Sequence, residues 1–248
     1  MRALSAADLL RIVERSAGAS PTASALAILA CGCPDEPVPD LVRLPLGARD
    51  RLLLDLRQQT LGGALSALVC CPSCGAELEL SLQTDALMVG ECPSGTGSYA
   101  LQHGALELRF RLPTSEDLLS VEDCADEEHA VRRLASRCIE SAVRAGRALD
   151  PAQLATNLND AELEALGEAM TDADPQADLR VELLCAECGD AFERELDLAA
   201  FFSAELASAA QRLFFEIDAL ARGYGWSESD IVSMSAWRRR VYVEMLAR

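Results

Sequence analysis

Two short stretches constrain this fold more than the rest of the chain: Val69–Leu82 (VCCPSCGAELELSL) and Leu184–Leu198 (LCAECGDAFERELDL). Each is a Cys-x-x-Cys-Gly turn followed by an alternating, strand-like run. Such a turn aims two sulfurs at one point and supplies half of a tetrahedral thiolate shell. Gly75 and Gly189 permit the left-handed backbone that turns neighbouring amides toward the thiolates. Cys71, Cys74, Cys185 and Cys188 are therefore the expected ligands of one structural zinc ion. Cys70 is set aside because Cys70 to Cys74 is one residue longer than the twin spacing. The 110 residues from Gly75 to Leu184 separate the two half-sites. Loop-closure cost grows only logarithmically with length, so one ion can join the two ends as a clasp.

Around these knuckles the chain reads as mostly helical. Ser5 and Asp8 open an amphipathic helix, and further helices are expected over Thr22–Ala30 and Gly47–Thr60. Prolines 34, 37, 39 and 45 predict an extended connector. A strand follows the first knuckle at Glu77–Leu82, Glu91–Gly97 is a turn region, and Ser98–Leu112 is a hairpin. Thr114 or Ser115 caps a helix, Glu127–Arg144 has helical periodicity, and Pro151–Met170 continues it. Strands Leu179–Leu184 and Phe192–Leu196 flank the second knuckle. A long apolar helix then runs from Ala199 to about Arg222, followed by a short helix capped by Ser227 and a last one over Ala236–Leu246.

The expected class is α+β, a split zinc ribbon with a helical insert and a C-terminal helical region. Its divisions are a helical region at 1–62, the first knuckle with its hairpin at 63–112 and the insert at 113–178. The second knuckle at 179–198 and the C-terminal helices at 199–248 complete the chain.

Net charge is −18, which disfavours nucleic acid, whose binding relies on Lys and Arg at phosphates. Arg238–Arg239–Arg240 is the one basic run, and its plain reading is a solvated helix turn. Met1–Ala17 lacks the apolar segment of a secretory leader, and no run approaches the roughly 18 apolar residues of a membrane span. Ten cysteines then favour metal-bound thiolates in a bacterial cytoplasm over a disulfide framework. Cys31, Cys33, Cys92, Cys124 and Cys138 read most simply as free thiols, with a second metal on Cys31, Cys33 and Cys92 as the other reading.

Both Cys pairs precede strands rather than helices, unlike thioredoxin-type redox sites. His103 and His129 lie far from either knuckle, and no P-loop, Rossmann or serine-hydrolase motif occurs. No enzyme is expected. Tyr224, Trp226, Trp237 and Tyr242 gather near the C-terminus. Packing among the C-terminal helices explains them, and a partner-binding face that includes Arg238 and Arg239 is the alternative.

From Asp50 to Arg248 the chain resembles the T-even-type baseplate hub assembly proteins of contractile phage tails and phage-like contractile injection systems. The features shared are a Cys-Pro-x-Cys-Gly knuckle after a helix, a helical middle, and a second Cys-x-x-Cys before Phe-x-x-x-Leu-Asp. The ending EIDALARGYGWSESDIVSMSAWRRRVYVEML is the most specific part, through Tyr224-Gly225-Trp226-Ser227, Asp230-Ile231, Arg238-Arg239 and Tyr242. The resemblance implies a structural protein that helps to build the baseplate or hub. Its partners would be baseplate, hub or tape-measure components, with incorporation into a phage-tail-like particle as one outcome. It implies no catalytic residue and no membrane insertion. A zinc-ribbon regulatory or nucleic-acid-associated module is the alternative.

Overall fold

The computed structural model describes residues 1–90, 97–150 and 157–246. Helices α1 (Ala6–Ser16), α2 (Pro21–Gly32), α3 (Val38–Val42) and α4 (Leu46–Leu61) lead into strand β1 (Ala64–Cys70). Ser5 caps α1 in a reciprocal box with Asp8, and Ser20 caps α2 with Pro21 in the first turn. The connector expected at Pro34–Pro45 contains α3, because prolines at the cap and in the first turn remove only amides that have no helical partner.

Strand β1 pairs antiparallel with β2 (Glu77–Gln83), and the Cys-x-x-Cys turn forms the connection. Four strands make the second sheet: β3 (Ser98–His103), β4 (Leu106–Arg111), β5 (Ile139–Arg144) and β6 (Arg147–Ala148), in that order. Helices α5 (Ser115–Val121) and α6 (Glu127–Cys138) lie between β4 and β5 in sequence. The helix expected over Glu127–Arg144 therefore stops at Cys138, and the chain turns back as a strand on β4. Helix α7 (Asp160–Ala173) takes up part of the expected Pro151–Met170 helix. Residues 151–156 lie outside the described residues, as does most of the Glu91–Gly97 turn.

Strands β7 (Arg180–Leu184) and β8 (Ala191–Glu195) form a second hairpin around the other Cys-x-x-Cys turn. The chain ends in α8 (Leu198–Tyr224), α9 (Glu228–Ser233) and α10 (Ala236–Leu246). Asp197 caps the 27-residue α8, and Gly225, at φ 71, closes it in the left-handed conformation.

Apolar side chains collect in four places. The first is the helical core, where Ile12, Ile28, Leu29, Leu53, Leu56, Phe202 and Leu206 are buried between α1, α2, α4 and α8. Leu106, Leu108 and Phe110 of β4 pack with Ala135, Ile139, Leu158 and Leu166 in the second. Leu213, Ile217, Leu220 and Ile231 join the C-terminal helices to Leu10 of α1. Leu54, Leu65, Leu87, Leu179 and Leu198 form the fourth, which gathers the roots of both Cys hairpins. The described chain is thus mixed α and β, mostly helical with small sheets. Nothing in it is long and apolar enough to cross a membrane as a helix.

Candidate metal centre

The two knuckles repeat one backbone pattern. In the first, Cys71 N–H donates to Ala76 O at 2.9 Å and Gly75 N–H to Cys71 O at 3.0 Å. In the second, Cys185 N–H donates to Asp190 O at 2.8 Å and Gly189 N–H to Cys185 O at 2.9 Å. Gly75 and Gly189 sit at φ 75 and 74, with open space where a Cβ would stand. The glycine is needed there for its dihedral angle, and not for room.

The turns meet head-on. Cys71 Sγ lies 3.7 Å from Cys188 Sγ, and Cys74 Sγ 3.6 Å from Cys185 Sγ. All four sulfurs fall within 4.8 Å of one another. Zinc–sulfur bonds of about 2.3 Å in a regular tetrahedron place sulfurs about 3.8 Å apart, so the donor set and its spacing fit such an ion. Among the described residues no other group of three or more Cys, His, Asp or Glu ligand atoms closes in this way. Cys71 and Cys185 are buried, and Cys74 and Cys188 face solvent. Ser73 Oγ donates to Asp190, and Arg194 Nη2 donates to Cys70 O at 3.1 Å, so the knuckles also touch through polar contacts.

Backbone amides bias the thiols unequally. Amides of Cys188 and Glu187 aim at Cys185 and draw it down to about 7, favouring the thiolate. The Asp190 amide favours the Cys188 thiolate, but hydrogen bonding with the Cys185 and Cys74 sulfurs outweighs it and pushes Cys188 up to about 12. A divalent ion bound there would take up thiolates and release protons.

The other described cysteines do not join the four-sulfur cluster. Cys31 and Cys33 are buried at the end of α2, where burial raises the Cys33 thiol. Cys138 is buried at the end of α6 and pushed up to about 12 by desolvation, as suits a core thiol. Cys70 is exposed on β1, and Cys92 lies outside the described residues.

The aromatic residues near the C-terminus divide into two sets. Tyr224 stacks on Trp226 with ring centres 4.5 Å apart, and Tyr242 meets both rings edge-on. Trp226 and Tyr242 pack against Leu213, Ile217, Leu220 and Ile231. Arg239 is buried, pairs with Glu216 at 2.8 Å and donates to Met234 O. Trp237 and Arg238, by contrast, stand exposed. Phe214 and Phe215 of α8 are exposed too, as is Arg240, the end of the basic run read as a solvated helix turn. The signal for the two phenylalanines was available. The buried positions 206, 210, 213, 217 and 220 define one stripe of α8, and residues 214 and 215 fall off it.

Neither the curated proteins nor the solved structures gave a match to this chain. A family model described as T4 bacteriophage base plate protein matches residues 9–203, a span that holds both knuckles and everything between them. By that match over most of its length, the chain belongs to the T4 bacteriophage base plate protein family.

Proposed function

We propose that this chain is a non-enzymatic assembly protein of the baseplate or hub in a contractile phage tail or phage-like injection system. One zinc ion on Cys71, Cys74, Cys185 and Cys188 closes its fold as a split ribbon, and its C-terminal helices contact other tail proteins. The convergence of four sulfurs from turns 111 and 117 positions apart, inside the family-matched span, carries this reading. A thiolate-only shell leaves zinc no open position for substrate, so the ion supplies a structural tie. Membership in a baseplate family supports a structural role beside other tail proteins.

A zinc-ribbon module acting on nucleic acid is the competing reading. The surroundings of the knuckles argue against it, since Glu77, Glu79, Glu187, Asp190 and Glu193 would repel phosphate. The test is purification from the native producer with metal analysis. About one zinc per chain and co-purification with a baseplate or hub component are expected. Recovery of nucleic acid alone, or of metal-free folded protein, overturns the assignment.

A further inference from the structure

The C-terminal helices leave one face uncovered. With the apolar stripe of α8 turned inward, Phe214 and Phe215 are 47% and 69% exposed. Helix α10 runs beside α8 in the same direction, with Arg239 on Glu216 and Leu246 against Gly223. That register sets Trp237, 72% exposed, at the level of the two phenylalanines. Arg212, Arg238 and Arg240 are exposed at the same level. Residues 204–248 hold six arginines and six carboxylates, so the whole net charge of −18 precedes them. At about 100° per residue Phe215, Arg212 and Arg240 share the flank of the α8–α10 pair opposite its core. Phe214 points away from α10, and Arg238 lies over the Tyr242 ring at 5.7 Å. An aromatic and cationic flank thus sits on an otherwise acidic molecule.

A complementary surface lies on the outer face of the β7–β8 hairpin. There Glu182 stands directly opposite Glu193, and Leu184, 70% exposed, stands opposite Ala191. Like charges directly across a strand pair destabilise a hairpin, and Arg180 reaches Glu193 only at 3.9 Å. Arginines arriving from outside would relieve this pair while the aromatic rings covered Leu184.

We infer that the α8–α10 face of one copy docks on the outer β7–β8 face of a second copy, head to tail. The contact cannot form within one chain. Helix α8 begins just after β8 and is a rod that carries Phe215 about 26 Å from Leu198. A symmetric pairing of two α8–α10 faces would set arginine against arginine. A head-to-tail contact repeats, and it closes into a ring where the rotation permits. This inference rests on reading the C-terminal helices as a contact face, and it names the occupant of that face.

The test uses the full-length chain with two sets of surface changes, Arg212→Glu with Arg240→Glu, and Glu182→Arg with Glu193→Arg. The second set exchanges one like-charge pair for another, so the hairpin is kept, and Arg239 is left intact. Unchanged thermal unfolding confirms that both variants fold. In sedimentation velocity the parent chain is expected to self-associate with rising concentration, and to do so about tenfold more weakly at high salt. Each variant alone should be monomeric, and an equimolar mixture should associate again, because each face then meets a hairpin of opposite charge. A parent chain that stays monomeric at low salt overturns the inference, as does a dimer that survives either set of changes. Metal content and co-purification with tail components are read separately, so the proposed function can stand where this contact fails.

Discussion

Asp117 shows how much of the architecture rests on single side chains. It is buried, yet both of its oxygens accept from Arg111, at 2.6 and 2.9 Å, and Arg137 Nε adds a bond of 2.8 Å. The Thr114 backbone and hydroxyl complete the set. One carboxylate thus joins β4, α5 and α6 where the helical core meets the four-stranded sheet. Burial works against its ionisation, but hydrogen bonds from Arg111, Thr114 and Arg137 outweigh it and hold the carboxyl far below its ordinary range. A depressed folded pKa contributes stability above the unfolded value of about 3.9, and that stability is lost as pH falls toward the folded value. Both arginines are about one-third exposed, so solvent screening trims the contribution. Asp117→Asn should cost about 2 kcal/mol at neutral pH in urea unfolding, with the gap to the parent narrowing from about pH 5 downward. A gap that stays constant over that range would assign the loss to packing instead of charge.

Among the elements, α4 depends on a similar fork. Arg57 Nε and Nη2 each reach the Glu205 carboxylate at 2.7 Å, while Nη1 and Nη2 donate to Gly62 O and Ala64 O. The end of α4, the start of β1 and the first third of α8 are held by one planar group. Lysine carries the charge without the fork, so Arg57→Lys should recover less than half of the stability lost in Arg57→Met, itself about 3 kcal/mol. Equal melting temperatures for Arg57→Lys and the parent would show that charge alone suffices.

How far these elements could be read in the sequence follows from local chemistry. Ser5, Thr114 and Ser227 announced their helices, because capping residues act within four positions. Strand β1 did not announce itself. Ala64–Cys70 is rich in helix formers and becomes a strand through its pairing with β2. Strand β5 was hidden for a related reason. Its hairpin to β6 turns at Ala145 and Gly146, at φ 50 and 77, where alanine gives none of the signal of an Asn-Gly turn. The four sulfurs were legible because a chelating turn is local and its repeat identical, while the split of the C-terminal aromatics into packed and exposed sets depends on how α8 and α10 meet.

At the scale of the molecule, the sequence makes the metal the closure of a 110-residue loop, which on chain-entropy grounds would be worth about 4–5 kcal/mol. The structure also gathers the ends of that loop by packing alone. Beneath the sulfurs, Leu54, Leu65, Leu87, Leu179 and Leu198 pack together. Gln176 accepts from Val89 N–H and donates to Leu87 O, and Gly47 N–H donates to Asp174. This root already gathers the two ends, so an ion held by the four thiolates would be left to order the hairpin tips, whose apolar rows are only half-buried. Metal removal should accordingly act locally. With a strong chelator under reducing conditions, or in Cys185→Ser, amide exchange should accelerate first over residues 64–83 and 180–195. Protection in α2 and the first half of α8, set by the helical core, should persist. Simultaneous loss of protection in the hairpins and in α2 would make the ion the latch of the entire fold. Unchanged exchange in the hairpins would remove the ion from the folding of this protein altogether.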